Sequence, residues 1–117
     1  MNESIKGFYW INKSILKELG IDASFLLSAM AEADNLLADD DEGWFYQTIE
    51  KLEEITTLTR HKQSQAIKLL IEKQLLEQQN RGVPMKRYFR INYEELTSLV
   101  AKNSTLQLSP KNEAKYR

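Results

Sequence analysis

Positive charge is concentrated in one short stretch of the chain, NRGVPMKRYFRIN at residues 80–92. The stretch holds four basic side chains, Arg81, Lys86, Arg87 and Arg90, and no acidic one. Guanidinium and ammonium groups pair with phosphate and carboxylate oxygens, so a cluster of them without acids suits an anionic partner. A glycine and a proline near its middle predict a loop, and basic and aromatic residues alternate after that loop.

The charge of the whole chain is unevenly distributed around this stretch. The 117 residues carry 16 Lys and Arg and 17 Asp and Glu, which gives a net charge of −1. Residues 1–56 hold 4 basic and 12 acidic side chains, whereas residues 57–90 hold 8 basic and 2 acidic ones, a net charge of +6. This asymmetry predicts a face directed at a polyanion, although a solvated basic surface would have the same composition.

The basic block begins in a predicted pair of helices. Thr48 is a good N-cap for a first helix, and the residues TTL at 56–58 break that helix. Thr59 then caps a second helix at about 60–73, whose apolar residues recur at helical spacing. Two helices joined by so short a turn, the second one basic at its start, are typical of a helix-turn-helix.

Two strands follow the helix pair, at residues 75–79 and 87–93, and the loop RGVPM joins them. In the second strand, alternation places Phe89 and Ile91 on one face and Tyr88 and Arg90 on the other. A helix-turn-helix followed at once by a β-hairpin is a winged helix-turn-helix. The expected fold class is therefore mainly α with a small β-sheet (α+β).

The remaining segments are predicted to support this unit. After Lys102 the sequence becomes polar and loses its periodicity, which predicts one domain at residues 1–101 and a disordered tail or linker at 102–117. The supporting elements are a strand at 8–11, a short helix KSILKEL capped by Asn12 and ended by Gly20, a longer helix at 23–38 capped by Asp22, a short strand at 43–47 and a final helix at 93–101.

Long polar side chains crowd the outer face of the second helix near its N-terminus. The major groove of B-DNA admits one α-helix, in which Arg suits guanine and Gln suits adenine. We therefore expect Arg60, Gln65 and His61 to contact bases, and Lys62 and Lys68 to contact phosphates. The full set of predicted DNA contacts is Thr57, Thr59, Arg60, His61, Lys62, Ser64, Gln65 and Lys68 on the helix pair, and Arg81, Lys86, Arg87, Tyr88 and Arg90 on the hairpin.

Some of these side chains have a structural alternative. Gln63 lies four residues before Ile67 on the inward stripe, which favours a buried amide bonded to the backbone over a base contact. Tyr88 is as well suited to packing on the hairpin as to contacting DNA. Trp10 and Trp44 are expected to pack in or near the core.

Three segments resemble a known family. GWFYQTIEKLEEITTLTRHKQSQAIKLL, LLEQQ and GVPMKRYFRINYEEL, within residues 43–96, resemble the N-terminal winged-helix domain of replication initiation proteins from phages and mobile elements of Gram-positive bacteria, the replisome-organiser type often joined to a DnaD-like region. The resemblance implies a DNA-binding winged helix and partners among helicase-loading proteins, which longer relatives engage through further domains. Gln74 stands where many winged helices have glycine.

Several function classes are not supported by the composition. The chain has no cysteine, which excludes disulfides, thiolate catalysis and Cys-based zinc sites and fits a reducing cytoplasm. It has one histidine, four isolated glycines and no apolar run near 18 residues, and its N-terminus is not a secretory signal. We expect no catalytic residue, no metal site, no cofactor and no membrane association.

Three functions remain open on these grounds. The first is recognition of a double-stranded origin site in phage or plasmid replication, and the second is transcriptional regulation by the same domain. The third is a protein-interaction module of the replication machinery that docks an acidic or helical partner. The acidic N-terminal half offers a second surface for such a partner or for a homodimer.

Overall fold

The computed structural model describes residues 11–37 and 42–107 of the chain. The fold is α+β, as predicted, with five helices and one small antiparallel sheet in this part of the chain. The elements run in the order α1 (Lys13–Leu19), α2 (Ile21–Leu37), β1 (Phe45–Tyr46), α3 (Ile49–Thr56), α4 (Arg60–Glu72), β2 (Leu76–Arg81), β3 (Lys86–Ile91) and α5 (Tyr93–Gln107).

The first two helices meet at a glycine. The side chain of Asn12 accepts hydrogen bonds from the backbone of Ser14 at 2.8 Å and of Ile15 at 3.2 Å, so the predicted N-cap of α1 is confirmed. Gly20 ends α1 with a φ of 82°, a left-handed value that glycine adopts at little cost. The prediction that Asp22 caps the next helix is wrong, because α2 already begins at Ile21 and Asp22 lies in its first turn.

Threonines define the helix-turn-helix corner. Thr48 Oγ1 accepts a hydrogen bond from Lys51 N at 3.0 Å, and Thr59 Oγ1 accepts one from Lys62 N at 3.3 Å, which confirms both predicted N-caps. The buried Thr56 hydroxyl donates to Leu52 O at 2.6 Å and accepts from Leu58 N at 3.1 Å. The turn is therefore built from side-chain hydrogen bonds that take the place of missing helical ones.

Thr57 holds the corner in a strained backbone conformation, with φ 63° and ψ 4°. This left-handed region is unfavourable for a β-branched residue by about 1–2 kcal/mol. Thr57→Gly should therefore raise the free energy of unfolding by about 1 kcal/mol, measured by urea denaturation. Thr59→Gly is the matched control and should lower the free energy of unfolding, since φ is −64° there and the change removes an N-cap. If both changes destabilise the protein equally, the backbone at Thr57 is not strained.

The C-terminus of α4 forms a Schellman motif around Gln74. Leu75 N donates to Leu70 O at 2.9 Å, and Gln74 N donates to Ile71 O at 2.9 Å. Gln74 has a φ of 63°, so it adopts the left-handed conformation that glycine usually supplies at this position. The departure from glycine that the sequence shows does not prevent the corner, which leads directly into β2.

The sheet has the order β1-β3-β2, with both neighbours antiparallel to β3. Phe45 lies opposite Phe89 and Tyr46 opposite Tyr88, and β2 pairs with β3 from Leu76 opposite Ile91 to Arg81 opposite Lys86. The buried residues on β3 are Phe89 and Ile91, which confirms the predicted alternation. One face of the sheet thus packs on the helices and the other faces outward.

A single hydrophobic cluster joins the helices to the inner face of the sheet. Its most deeply buried members include Leu26, Met30, Leu52, Leu70 and Phe89, each with no exposed surface. They come from α2, α3, α4 and β3, so the recognition-type helix pair and the hairpin are fixed to the same scaffold helix. The orientation of α4 relative to the hairpin is therefore set by the core.

The final helix differs from its predicted extent. Asn92 Oδ1 accepts from Glu95 N at 3.0 Å, and the Tyr93 hydroxyl donates to Asp34 Oδ2 at 2.5 Å, which ties the start of α5 to α2. The helix continues to Gln107 rather than ending near residue 101, so residues 102–107 are helical. The rest of the predicted tail, most of the predicted strand at 8–11 and most of the acidic loop at 39–43 lie outside the described residues.

Candidate nucleic-acid interface

One face of α4 is exposed along its whole length, and we call it the α4 surface. The opposite face buries Gln63, Ala66, Ile67 and Leu70 in the core, as the helical period requires. The polar and basic residues expected to point outward all do so. The α4 surface consists of the exposed side chains of Arg60, His61, Lys62, Ser64, Gln65 and Lys68.

Gln63 is not part of this surface. Its side chain is only 1% exposed, and Nε2 donates to Ile49 O at 3.1 Å and to Leu58 O at 3.0 Å. The buried-amide alternative is therefore confirmed, and a base contact by Gln63 is excluded. The amide joins the start of α3, the turn and α4, so it fixes the angle at which the α4 surface is presented.

The turn places two hydroxyl groups beside the N-terminus of α4. Thr57 and Thr59 are both exposed, and Thr59 Oγ1 keeps its hydroxyl proton free to donate while it caps Lys62 N. The first backbone N–H groups of a helix carry a partial positive charge and bind phosphate well. This end of α4 thus combines helix N–H groups, two hydroxyls and the side chain of Arg60.

Arg87 is the hairpin cation that lies on the α4 side of the sheet. Its side chain points to the same face of β3 as Phe89 and Ile91, because these residues are two apart in the strand. Its guanidinium carbon lies 4.9 Å from the centroid of the Phe89 ring. Partial burial lowers its pKa below the usual arginine value, an effect opposed by nearby Glu50 and reinforced by nearby Arg60. Its Nη2 is buried and has no hydrogen-bond partner among the described residues.

A groove of about 560 Å³ separates α4 from the hairpin. Ser64 and Lys68 line one wall, and Gln78 and Arg87 line the other. Lys68 and Arg87 bring positive charge into this lining and Glu72 brings negative charge, while Arg60 and Glu50 lie near Arg87. Its donors and positive charge suit an oxyanion such as a phosphate.

The other predicted hairpin contacts lie on the opposite side of the sheet, on what we call the outer sheet face. This face is built on Tyr46, Glu77, Gln79, Arg81, Lys86, Tyr88 and Arg90 and is flanked by Trp44. The thirteen predicted DNA contacts therefore do not form one surface. Nine of them lie on or beside α4, and the four others, Arg81, Lys86, Tyr88 and Arg90, point away from it.

Cations and aromatic rings alternate on the outer sheet face. Arg81 lies 5.4 Å from the centroid of Trp44 and 4.4 Å from that of Tyr88, and Arg90 lies 4.6 Å from Trp44. Lys86 lies 5.3 Å from Tyr46. Trp44 is only 7% exposed, which confirms the prediction that it packs in or near the core. It is not a member of the main core cluster, and the guanidinium groups of Arg81 and Arg90 pack against its ring.

Arg90 is also held by a carboxylate. Its Nε donates to Glu77 Oε2 at 2.7 Å and its Nη2 donates to Glu77 Oε1 at 3.2 Å, which makes a bidentate pair across the two strands. The hydrogen bond from Arg90 lowers the pKa of Glu77 below its usual value. Arg90 is therefore less available to an external anion than the cations of α4.

The α4 cations form no such pair within the described part of the chain. Ion pairs among the described residues join Lys51 to Glu54, Lys73 to Glu18 and Arg90 to Glu77. None of these involves Arg60, Lys62 or Lys68, all of which are exposed. Their charge is thus directed at solvent and available for a partner.

Residues 11–37 and 42–107 contain no candidate metal site and no candidate membrane-spanning helix. No group of three or more His, Asp or Glu side chains in these segments could hold a metal ion. None of the helices found there has the length and apolar character needed to cross a membrane.

Solved structures share this architecture, although no protein-family model and no curated protein matches the chain. One is the N-terminal domain of a DNA-binding protein, with 21% identity and a TM-score of 0.63, covering 90% of this chain and 91% of that one. The other is a Rep protein in complex with DNA, with 26% identity and a TM-score of 0.62, covering 74% of this chain and 75% of that one. The chain has the fold of these proteins.

Alternation in the second strand correctly placed Tyr88 and Arg90 on the face opposite Phe89 and Ile91, but the predicted set of DNA contacts did not separate Arg87 from them. The signal for that separation was present, because Arg87 has the same parity as the buried Phe89 and Ile91, whereas Lys86 and Arg90 do not. The stacking of Arg81 and Arg90 on Trp44 had no local signal, since Trp44 lies more than thirty residues before either of them in the chain. Only the register of three strands brings these side chains together.

Proposed function

We propose that this chain binds double-stranded DNA by inserting α4 into the major groove. The observation that carries the proposal is the group of exposed cations on α4, which form no ion pair with another described residue, with Arg87 across the groove from them. The 13 residues of α4 span about 20 Å, enough to lie along the floor of the groove. The Rep–DNA neighbour supports the same partner.

The α4 surface divides into base and phosphate contacts in this arrangement. Arg60 can donate two hydrogen bonds to guanine O6 and N7, and Gln65 can donate to adenine N7 and accept from adenine N6. His61 is next to them. Lys62 and Lys68 flank the helix and approach the phosphates on either side. Arg87 approaches the backbone that passes between α4 and the hairpin, where its unpartnered Nη2 gains an acceptor.

The biological role we propose is origin recognition in replication initiation. Support comes from the resemblance of residues 43–96 to initiator domains of phages and mobile elements and from the Rep neighbour. Binding at the origin would bring a helicase-loading partner to the DNA. In-vitro selection of bound duplexes, mapped onto the genome that encodes the chain, tests this role: iterated sites in an origin support it, and single sites over promoters favour a transcriptional regulator.

The salt dependence of duplex binding tests the interface itself. Three cations, Lys62, Lys68 and Arg87, are placed to contact phosphates. Each neutralised phosphate contributes about −0.9 to the slope of log K against log salt, so we expect a slope of about −3. Fluorescence anisotropy of a labelled duplex between about 50 and 300 mM KCl measures it. A slope near zero would contradict an interface built on these cations.

A further inference from the structure

The outer edge of β2 is not paired with any strand in the described part of the chain. β2 is the last strand in the order β1-β3-β2, it is six residues long, and Glu77, Gln78, Gln79 and Asn80 on it are exposed. A free edge of this length is a template for pairing with another strand. Natural edge strands often carry proline, bulges or crowded like charges, and LEQQNR has none of these.

Two hydrogen bonds show which backbone groups this edge presents. Gln47 N donates to Arg87 O at 3.2 Å, so the backbone N–H and C=O of Arg87 point toward β1. The N–H and C=O of Asn80, which lies opposite Arg87 on β2, therefore point away from β3. At the other end of β2, Asn92 N donates to Leu75 O at 2.9 Å. The backbone groups of Leu75 thus point toward the β3 side, and those of the next residue, Leu76, point away from it. Every second residue, namely Leu76, Gln78 and Asn80, therefore offers its N–H and C=O to the free edge.

The side chains of β2 are complementary to themselves in one antiparallel register. A two-fold axis through Gln79 places Gln78 opposite Asn80 of a second copy, and both residues have the outward backbone groups that this pair needs. The same axis places Glu77 opposite Arg81 of the second copy, twice by symmetry. An axis through Gln78 would oppose Glu77 to Gln79, and an axis through Glu77 would oppose two carboxylates, so charge selects the Gln79 register.

The apolar residues near the edge fit the same register. Val83 is fully exposed at the hairpin tip and Met85 is 69% exposed, an unusual arrangement for two apolar side chains. Ile71 is 41% exposed and lines a groove of about 510 Å³ beside the start of β2 together with Gln74 and Leu76. In the Gln79 register the hairpin tip of the second copy reaches the start of β2, where that groove lies.

We propose that the chain forms a dimer in which the β2 edges of two copies pair antiparallel about Gln79 and join two three-stranded sheets into one. The interface is isologous, as a two-fold axis requires, with ion pairs between Glu77 and Arg81 at both ends of the central pair. Side chains that lie opposite each other in a strand pair point to the same face. Both α4 helices therefore lie on one side of the joined sheet.

Disulfide trapping tests the register without DNA, and its failure leaves the duplex-binding proposal untouched. The native chain has no cysteine, and Gln79→Cys places two thiols opposite each other, at a distance that suits a disulfide. Gln78→Cys is the matched control, an exposed glutamine on the same strand whose thiol lies one residue from the axis and faces Asn80 of the second copy instead. Mild oxidation should give a covalent dimer of the first variant only; equal cross-linking of both, or of neither, would overturn the register.

Sedimentation equilibrium tests the charge pairing. The native chain should dimerise at or below about 100 μM, and Arg81→Glu should raise the dissociation constant by about tenfold or more, because it opposes two carboxylates at each end. Lys86→Glu is the control. It makes the same change of charge on the same face of the sheet, but Lys86 lies on β3, one strand further from the proposed interface. A chain that stays monomeric at all concentrations would overturn the dimer; pairing of the β2 edge with residues 8–11 of the same chain would give that result. Equal weakening of dimerisation by both variants would also overturn it.

Discussion

Replacing Arg60 and Lys62 together with alanine is expected to weaken duplex binding by about 100-fold at low salt. Each long cationic contact to a base edge or phosphate contributes about 1–3 kcal/mol, and about 2.7 kcal/mol in total corresponds to this factor. Both side chains are exposed and belong to none of the ion pairs given for the described residues. The fold should be unaffected, because neither side chain contributes to the core.

A second pair of lysines controls for the loss of charge. Lys13→Ala with Lys17→Ala also removes two positive charges, but from the exposed side of α1, which packs mainly on α2 and α5. Fluorescence anisotropy with one labelled duplex should show a small and salt-sensitive loss for this control. If the two double variants bind equally well, long-range charge alone explains the affinity and α4 is not the recognition helix.

Gln63→Met should lower the free energy of unfolding by about 2 kcal/mol. The substitution keeps the length of the side chain but removes both hydrogen bonds of Nε2, to Ile49 O and Leu58 O. Part of the loss is offset, because Gln63 Oε1 is buried without a hydrogen-bond partner among the described residues and methionine removes it. A buried carbonyl left without its donor costs about 1–3 kcal/mol, and the two carbonyls lie in different parts of the corner. Since small domains have a total stability of about 5–15 kcal/mol, this is a large loss for one uncharged side chain.

The matched control for this prediction lies two residues further along α4. Gln65 is exposed, and Gln65→Met should change the free energy of unfolding by less than about 0.5 kcal/mol. Urea denaturation followed by circular dichroism measures both variants. A Gln63→Met protein as stable as the Gln65→Met protein would show that the corner does not depend on the buried amide.

Local chemistry made much of the fold predictable. Asn12, Thr48 and Thr59 cap helices because their side-chain oxygens reach the free N–H groups two or three residues on, a contact that depends on adjacent residues alone. Asp22 has the same chemistry and still does not cap, because Gly20 lets α2 begin two residues earlier than the motif suggests. Helix ends are decided by competition between neighbouring signals.

The interface was only partly predictable for a related reason. The exposure of Arg60 and Lys68 and the burial of Gln63 follow from helical periodicity, which a sequence displays directly. The engagement of Arg90 by Glu77 depends on the register of the hairpin, which is fixed by the length and geometry of the loop between the strands. Pairwise contacts across strands therefore require coordinates, even where each strand is correctly predicted.

The separation of α4 into a sealed face and an open face has an evolutionary consequence. Ala66, Ile67 and Leu70 hold the helix in place, and no exposed residue of α4 belongs to the core. Mutations on the open face can accumulate without a penalty in folding, so relatives of this chain are free to diverge toward new target sites while the scaffold stays constant. Such a layout favours change in what the domain binds without change in its fold.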